Sequence, residues 1–377
     1  MNNKKKSILI GVIAVVIIIA VSLIANENKT NKDETYTVGV VTSLSGPGAS
    51  LGKPWVQGME LAVEEINAQG GINGKNIKLV VEDDSMNTGK SATAANFLID
   101  TENPDVLTTL FHISAIAMNP ISENAETPLI TASFARSVLD NPYTFKINFD
   151  SLTGCEDLIR YAKENSQYKK LGVLMSKTGY NEFCLEGAKK AELDISEYWY
   201  EFGEKDYRTH LLKAKQDGVD ALLTVGIDFE YIEMFDQINE LGLDMSFFCA
   251  TASECIFNES LASKASKLKG NVLSVDFVDP ESLPESEFAD KYNQKYEKAE
   301  GIVLTYSMIG YDQMIILKDV FEQCRAGDKE CIFEGLKKYD GVGSGIINSS
   351  GFEDRALQLG NDVYEFVDNK WSLIRSK

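Results

Sequence analysis

A glycine-containing loop between a predicted strand and a predicted helix is the first place where this sequence could bind a ligand. The loop spans residues 43–52 (SLSGPGASLG), and the next apolar run ends in three acids at 82–84. Backbone N–H groups in such a loop bind anions, and acids at this place can hold a ribose. The spacing is GxGxxxG rather than GxGxxG, and Pro47 removes one N–H group. A small anionic or zwitterionic group at the carboxyl edge of a sheet is therefore favoured over a dinucleotide, and an empty tight turn is the alternative.

The sequence offers little that indicates catalysis. There is no HExxH or CxxC pattern, and His112 is one of only two histidines. No nucleophile or partner acid is placed beside it, so we interpret His112 as a hydrogen-bonded residue at a sheet edge or as a ligand contact. The sequence therefore predicts a binding protein, not an enzyme, with no cofactor and no metal.

The N-terminus predicts an extracytoplasmic protein. Three lysines at 4–6 precede an uncharged, mostly apolar run over residues 8–25. This pattern is typical of a cleaved signal peptide or of an uncleaved membrane anchor, and the two stay open. No cysteine follows the run directly to carry a lipid. We expect residues 1–25 to be this segment, residues 26–35 to be a tether, and the rest to lie in the periplasm or at the cell surface, anchored or secreted.

The net charge limits the possible partners of the protein, and the cysteine content indicates its redox environment. The formal net charge is −20, which repels nucleic acid and anionic membrane surfaces. All six cysteines follow the N-terminal segment, and an even number outside the cytoplasm favours disulfides over buried thiols. Fifteen pairings are possible in principle. Proximity in the sequence favours Cys249–Cys255 and Cys324–Cys331, which leaves Cys155–Cys184.

The remaining chain alternates predicted strands and helices in two series. Such βαβ repetition predicts an α/β fold with parallel-rich sheets covered by helices on both faces. Pro54 is expected to open the first helix, residues 141–150 to connect the two series, and residues 362–373 to form a closing hairpin. The predicted strands are 36–43, 77–82, 105–111 and 128–132, then 171–176, 195–200, 219–225, 246–250 and 271–277.

Residues 38–85 resemble the start of the leucine/isoleucine/valine-binding protein family, which are type I periplasmic solute-binding proteins of ABC transporters. The resemblance extends over about residues 36–375. Its pieces are Ser45-Gly46-Pro47, Gly52, Gly58, the GGING run at 70–74, Glu82-Asp83-Asp84, Thr127-Pro128-Leu129-Ile130, Phe145-Lys146, Gly179-Tyr180, Leu241-Gly242-Leu243 and Tyr311-Asp312.

This resemblance implies a type I periplasmic-binding-protein fold, in which two Rossmann-like lobes are joined by three crossovers. The crossovers map near residues 147–150, 276–279 and 341–346. The implied first lobe is residues 36–148 plus 279–343, and the second is 149–278 plus 344–377.

The resemblance also implies where a ligand would lie. Amino-acid-binding members hold the ligand carboxylate with hydroxyls and N–H groups of the first lobe, which map to segments 112–115 and 131–135. The family usually has a serine at the place of His112 and a threonine near Ala135, so Ser114 and Ser133 are expected to substitute. The first-lobe candidates are Ser45, Leu51, His112, Ser114, Ser133 and Phe134.

In the second lobe, Tyr180 matches the position of a family aromatic residue, and Glu254 matches an acid that accepts the ligand ammonium. A Cys249–Cys255 disulfide would fix the loop that carries Glu254, and Asp228 is a weaker candidate for the same role. The expected function is capture of a small amino acid or amide for an ABC permease, with branched-chain ligands favoured. The alternative is a ligand-sensing ectodomain that acts through a separate signalling protein.

Overall fold

The computed structural model describes residues 35–148, 151–165, 168–177, 182–190, 194–201, 203–226, 228–250, 255–256, 259–347 and 349–375. The expected signal or anchor segment, and all of the tether except Thr35, lie outside these residues. Among the residues that are described, no helix is both long enough and apolar enough to cross a membrane.

The first sheet has seven strands in the order β11-β12-β5-β4-β3-β1-β2. All neighbouring pairs are parallel except β11 with β12. Its strands are β1 (Tyr36–Thr42), β2 (Ile77–Asp83), β3 (Val106–Thr109), β4 (Leu129–Thr131), β5 (Thr144–Lys146), β11 (Ser349–Glu353) and β12 (Ala356–Leu359). Its helices are α1 (Ala49–Ala68), α2 (Thr88–Glu102), α3 (His112–Asn124), α9 (Glu287–Lys295), α10 (Gly301–Phe321) and α11 (Lys329–Lys337).

The second sheet also has seven strands, in the order β14-β13-β10-β9-β8-β6-β7. The predicted C-terminal hairpin β13–β14 adds to it antiparallel at β10. Its strands are β6 (Lys170–Ser176), β7 (Asp194–Tyr200), β8 (Ala221–Thr224), β9 (Ser246–Cys249), β10 (Val272–Asp276), β13 (Asp362–Val367) and β14 (Lys370–Arg375). Its helices are α4 (Ser151–Glu164), α5 (Glu182–Lys190), α6 (Arg208–Gln216), α7 (Asp228–Glu240) and α8 (Glu259–Ala265).

Burial explains why the apolar runs form central strands. Every residue of β1 is buried, as expected for a parallel strand with helices on both faces. On one face, helices α1 and α10 cross with their backbones in contact. A Cβ atom on Gly58 would lie 1.7 Å from the Ser307 carbonyl oxygen, and one on Gly310 would lie 2.0 Å from the Trp55 carbonyl oxygen. Glycine is therefore required at both positions for this close approach.

The nine predicted strands are confirmed, and three other expectations are corrected. Helix α1 begins at Ala49 rather than at Pro54, because a short 3₁₀ turn over Gly46–Gly48 continues directly into it. The predicted connection at 141–150 contains strand β5 of the first sheet. The third correction concerns the boundary of the lobes.

The first lobe extends further along the chain than the boundary at 343/344 allows. Strands β11 and β12 pair with each other, and Ala356 pairs with Lys146 of β5 in the first sheet. The chain crosses between the sheets at residues 147–150, 277–282 and 360–361, so the third crossover is not at 341–346. The apolar runs of β11 and β12 are short and are separated by a charged turn, so the sequence pattern did not predict either strand.

All three predicted disulfides are present. Cys155–Cys184 joins α4 to α5, Cys249–Cys255 closes the segment after β9, and Cys324–Cys331 links the end of α10 to α11. The described residues contain no free cysteine. Two of the disulfides therefore link neighbouring helices, and the third closes a loop at the end of β9.

Asp312 is a buried acid at the junction of α10 with the loop before β11. Its side chain is 2% exposed, and Oδ1 accepts the N–H of Ser344 at 2.5 Å. Gly343 has a φ of +57°, and a Cβ there would lie 2.5 Å from Oδ1. Burial raises the pKa of Asp312 to about 6, although the hydrogen bonds from Ser344 act in the opposite direction. The charged form is therefore disfavoured in the folded protein.

Replacing Asp312 with asparagine should stabilise the protein more at pH 8 than at pH 5. An acid with a raised folded pKa contributes most stability below its unfolded pKa, and this is lost as pH rises through about 6. Denaturant unfolding of Asp312→Asn should show a gain at pH 8 that exceeds the gain at pH 5 by on the order of 1 kcal/mol. Asp100→Asn, at an exposed site on α2, is the control. Equal gains at both pH values would contradict the assignment.

Candidate functional site

The carboxyl edge of the first sheet brings together four loops. Strands β4, β3, β1 and β2 are neighbours and parallel, so the segments that follow them meet at one edge. These segments carry all six candidate residues predicted for the first lobe: Ser45, Leu51, His112, Ser114, Ser133 and Phe134. The structure therefore places them on one edge, and their hydrogen bonds distinguish their roles.

Asp83 organises the loop after β1. Its carboxylate accepts the N–H groups of Leu44 at 2.9 Å, Ser45 at 3.2 Å and Ser85 at 2.9 Å, and the Ser45 hydroxyl at 2.5 Å. Burial alone would raise the pKa of Asp83, but the hydrogen bonds from Ser45, Ser85 and Leu44 lower it to about 2. The carboxylate stays charged and fixes the loop, so the Ser45 hydroxyl proton is already used.

Asp84 organises the interior of the same edge. It is fully buried and accepts hydrogen bonds from Ser91 Oγ at 2.8 Å, Ser114 Oγ at 2.5 Å and Met86 N–H at 2.8 Å. Ser114 is itself fully buried. Its hydroxyl proton is therefore directed to Asp84, and its side chain fixes the start of α3 to the loop after β2.

His112 and Ser133 form the polar pair that remains at the edge. His112 Nδ1 lies 3.3 Å from Ser133 Oγ, and Ser133 is 2% exposed. Ser133 Oγ also accepts the N–H of Ala135 at 3.1 Å, and Thr131 Oγ1 accepts the N–H of Ser133 at 3.2 Å. Burial lowers the pKa of His112, so the imidazole is neutral near pH 7. Because α3 begins at His112, this pair lies at a helix N-terminus.

The N-terminus of α3 has no side-chain cap. Phe111 is the N-cap residue, and the first helical hydrogen bond runs from Ala115 N–H to the Phe111 carbonyl. The N–H groups of residues 112–114 have no acceptor within the part of the chain that the structure describes. Free amides and the helix dipole bind anions such as carboxylates. The sequence indicated segment 112–115 as a ligand contact. The helix lacks a side-chain cap because Phe111, at the N-cap position, has no hydrogen-bonding side chain, and sequence reasoning did not consider this residue.

Apolar side chains border this edge. Leu51 and Phe134 are partly exposed and pack against the hydrophobic core of the first lobe. Trp55 is fully buried and belongs to the core rather than to this edge. Leu51 and Phe134 are therefore the two candidates from which an apolar ligand group could still gain contact.

The second-lobe candidates fall largely outside the described residues. Tyr180 and Glu254 lie outside them, and Asp228 is described only as the first residue of α7. The Cys249–Cys255 disulfide does bracket Glu254 in the sequence. A further acid, Glu230, is fully buried in the first turn of α7, and sequence reasoning did not select it. An acid in the segment that follows a buried strand was the signal that could have identified it.

Glu230 lies beside a backbone group at the carboxyl end of β8. A Cβ on Gly226 would lie 3.4 Å from Glu230 Oε2, and the N–H of Gly226 donates to Tyr231 Oη at 2.9 Å. The negative charge of Glu230 adds to burial in raising the pKa of Tyr207. A buried acid therefore lies at this edge of the second sheet. Across the described residues, no group of histidine, cysteine and acidic side chains could hold a metal ion.

Comparison with known proteins gives a consistent result. Residues 35–364 match the family model described as periplasmic binding protein. A Leu/Ile/Val-binding protein homolog 2 from Brucella abortus is 28% identical over 262 residues, which are 66% of this chain and 68% of that protein.

Two solved structures share the fold at low sequence identity. A leucine-binding protein from Thermotoga maritima has a TM-score of 0.74 at 20% identity and covers 91% of this chain and 98% of its own. A solute-binding protein of an ABC transporter from R. palustris, in complex with 4-hydroxybenzoate, has a TM-score of 0.76 at 18% identity, with 91% and 97% covered. The match of the family model over most of the chain shows that this chain belongs to the periplasmic binding protein family, as an extracytoplasmic solute-binding protein and not an enzyme.

Proposed function

We propose that this protein captures a small amino acid, with branched-chain ligands favoured, or an amide, between its two lobes and delivers it to an ABC permease. The observation that carries the proposal is the uncapped N-terminus of α3 beside the His112–Ser133 pair. Similarity to a Leu/Ile/Val-binding protein homolog supports the ligand class.

The ligand carboxylate would bind to the first lobe through backbone amides. The N–H groups of residues 112–114 point out of the helix end, and a carboxylate there is favoured by the helix dipole. Ser133 Oγ and His112 supply the side-chain contacts at the same place. The hydroxyls of Ser45 and Ser114 donate to Asp83 and Asp84, so these two residues shape the site rather than donate to the ligand.

The ligand ammonium would bind to the second lobe. Glu254 is the proposed acceptor, with Asp228 as the weaker candidate, and Tyr180 would cover the ligand. A buried carboxylate facing an ammonium group makes a strong, charge-assisted hydrogen bond. Leu51 and Phe134 would contact the ligand side chain from the first lobe. Closure of the two lobes would then bury the ligand, and a permease would recognise the closed form.

The fold alone does not distinguish amino acids from aromatic acids as ligands. The R. palustris protein in complex with 4-hydroxybenzoate has the same fold, and the carboxylate site of the first lobe would suit either class. The proposed ammonium acceptor in the second lobe favours amino acids, because an aromatic acid leaves a buried carboxylate without a partner.

A thermal-shift panel on the purified chain tests the ligand class. Amino acids and amides should raise the melting temperature, and a ligand at 100 times its Kd contributes about 2.7 kcal/mol to the folded state. Glu254→Gln should then weaken binding of the best amino acid at least tenfold, whereas Glu297→Gln, at an exposed site, should not. Stabilisation by aromatic acids alone, or unchanged affinity in Glu254→Gln, would contradict the proposal.

The pH dependence of binding tests His112. Its pKa is lowered by burial, so the imidazole gains a proton only below the usual range near 6.5, and that positive charge would strengthen carboxylate binding. Affinity for the best amino acid should rise as pH falls from 7.5 to 5. His112→Asn should bind within about threefold of the parent at pH 7.5 but should lack this rise. Calorimetric titration at both pH values provides the measurement, and an unaltered pH profile in the variant would remove His112 from the site.

A further inference from the structure

The third crossover between the lobes is only two residues long. Strand β12 ends at Leu359 in the first sheet, and β13 begins at Asp362 in the second sheet. Gly360 and Asn361 alone connect them. Because the strands on both sides are held by sheet hydrogen bonds, rotation of one lobe against the other must be absorbed in this crossover by Gly360 and Asn361.

The first-lobe end of this crossover is firmly attached. Lys146 N–H of β5 donates to the Arg355 carbonyl at 2.8 Å, and Ala356 pairs with Lys146. The Arg355 guanidinium also donates to the carbonyls of Leu139 at 2.8 Å, of Thr144 at 3.0 Å and of Asn141. Strand β12 thus leaves the first lobe directly beside β5, which leads into the first crossover.

The second-lobe end is attached by a side chain. Asn361 is 4% exposed, and its Nδ2 donates to Asp157 Oδ2 at 3.2 Å and to Thr153 Oγ1 at 3.3 Å. Both acceptors are on α4, the helix that follows the first crossover and packs in the second lobe. Asp157 is also 4% exposed and pairs with Arg160 at 2.9 Å. A hydrogen bond to a buried carboxylate is among the strong ones.

The two attachments divide the crossovers into fixed and free parts. Asn361 is bound to α4 and therefore moves with the second lobe. Asn148, which is 2% exposed, donates through Nδ2 to the Ala132 carbonyl at 2.9 Å and therefore moves with the first lobe. In the third crossover this leaves Gly360 as the residue whose backbone is free to change.

We propose that Asn361 is a positioning residue of the hinge, which limits the range of angles between the lobes by tying the third crossover to α4. The part of this hinge in ligand capture rests on the proposed function. The angle between the lobes, however, can be measured without a ligand. Loss of the amide releases the crossover from Thr153 and Asp157, so the lobes sample a wider range of angles.

Distance measurements on the ligand-free full-length chain in detergent test this role. Spin labels on encoded keto amino acids at Asn124 of α3 and Lys215 of α6, both exposed, report the distance between the lobes without disturbing the disulfides. Asn361→Ala should widen the distance distribution roughly twofold, and Thr153→Val should widen it less. Asn96→Ala, an exposed asparagine on α2 whose Nδ2 donates to the Ala92 carbonyl, is the matched control and should match the parent.

Two outcomes would overturn the proposal. One is an Asn361→Ala distribution that superimposes on that of Asn96→Ala. If Asn361→Ala does not fold, the Thr153→Val variant decides instead. A distance distribution of Thr153→Val identical to that of the parent would then overturn the proposal. Neither measurement contains a ligand, so failure of the amino-acid panel leaves this test unaffected.

Discussion

The chain passes between its two sheets three times, after β5, after β10 and after β12, and these crossovers constrain everything that the lobes can do together. At the second crossover, Asp276 Oδ1 accepts the N–H groups of Phe277 at 2.8 Å and Val278 at 3.4 Å, so the first residues after β10 are tied to the second lobe. Motion is therefore confined to a few backbone positions. A ligand that contacts both lobes can change the angle between them without disturbing either sheet.

Within the first lobe, the acids at the end of β2 are used internally. Asp83 and Asp84 fix the loops after β1 and β2 and hold the start of α3 through Ser114. Because these carboxylates accept hydrogen bonds from their own loops, their role at this edge is to hold the loops and α3 in place. The chemistry that remains at this edge is a row of free backbone amides beside His112 and Ser133.

Much of the fold followed from periodicity. The alternation of apolar runs with helical patterns identified both sheets, because strands buried on both faces are continuously apolar. Strands β11 and β12 were missed because two-residue alternation in a short, charged segment is a weak signal. The six first-lobe candidates lie at one sheet edge, as expected, since parallel strands bring their carboxyl ends together. The partners of Ser45 and Ser114 were not predicted, because side-chain hydrogen bonds between distant segments leave no periodic trace in the sequence.

Amide hydrogen exchange of the full-length chain, with and without the amino acid that stabilises it best, tests the central claim most directly. The account predicts slower exchange at two separate places: the N-terminal turn of α3 in the first lobe, and the segment closed by the Cys249–Cys255 disulfide in the second. Protection confined to one lobe, or located away from the carboxyl edges of both sheets, would contradict capture of the ligand between the lobes.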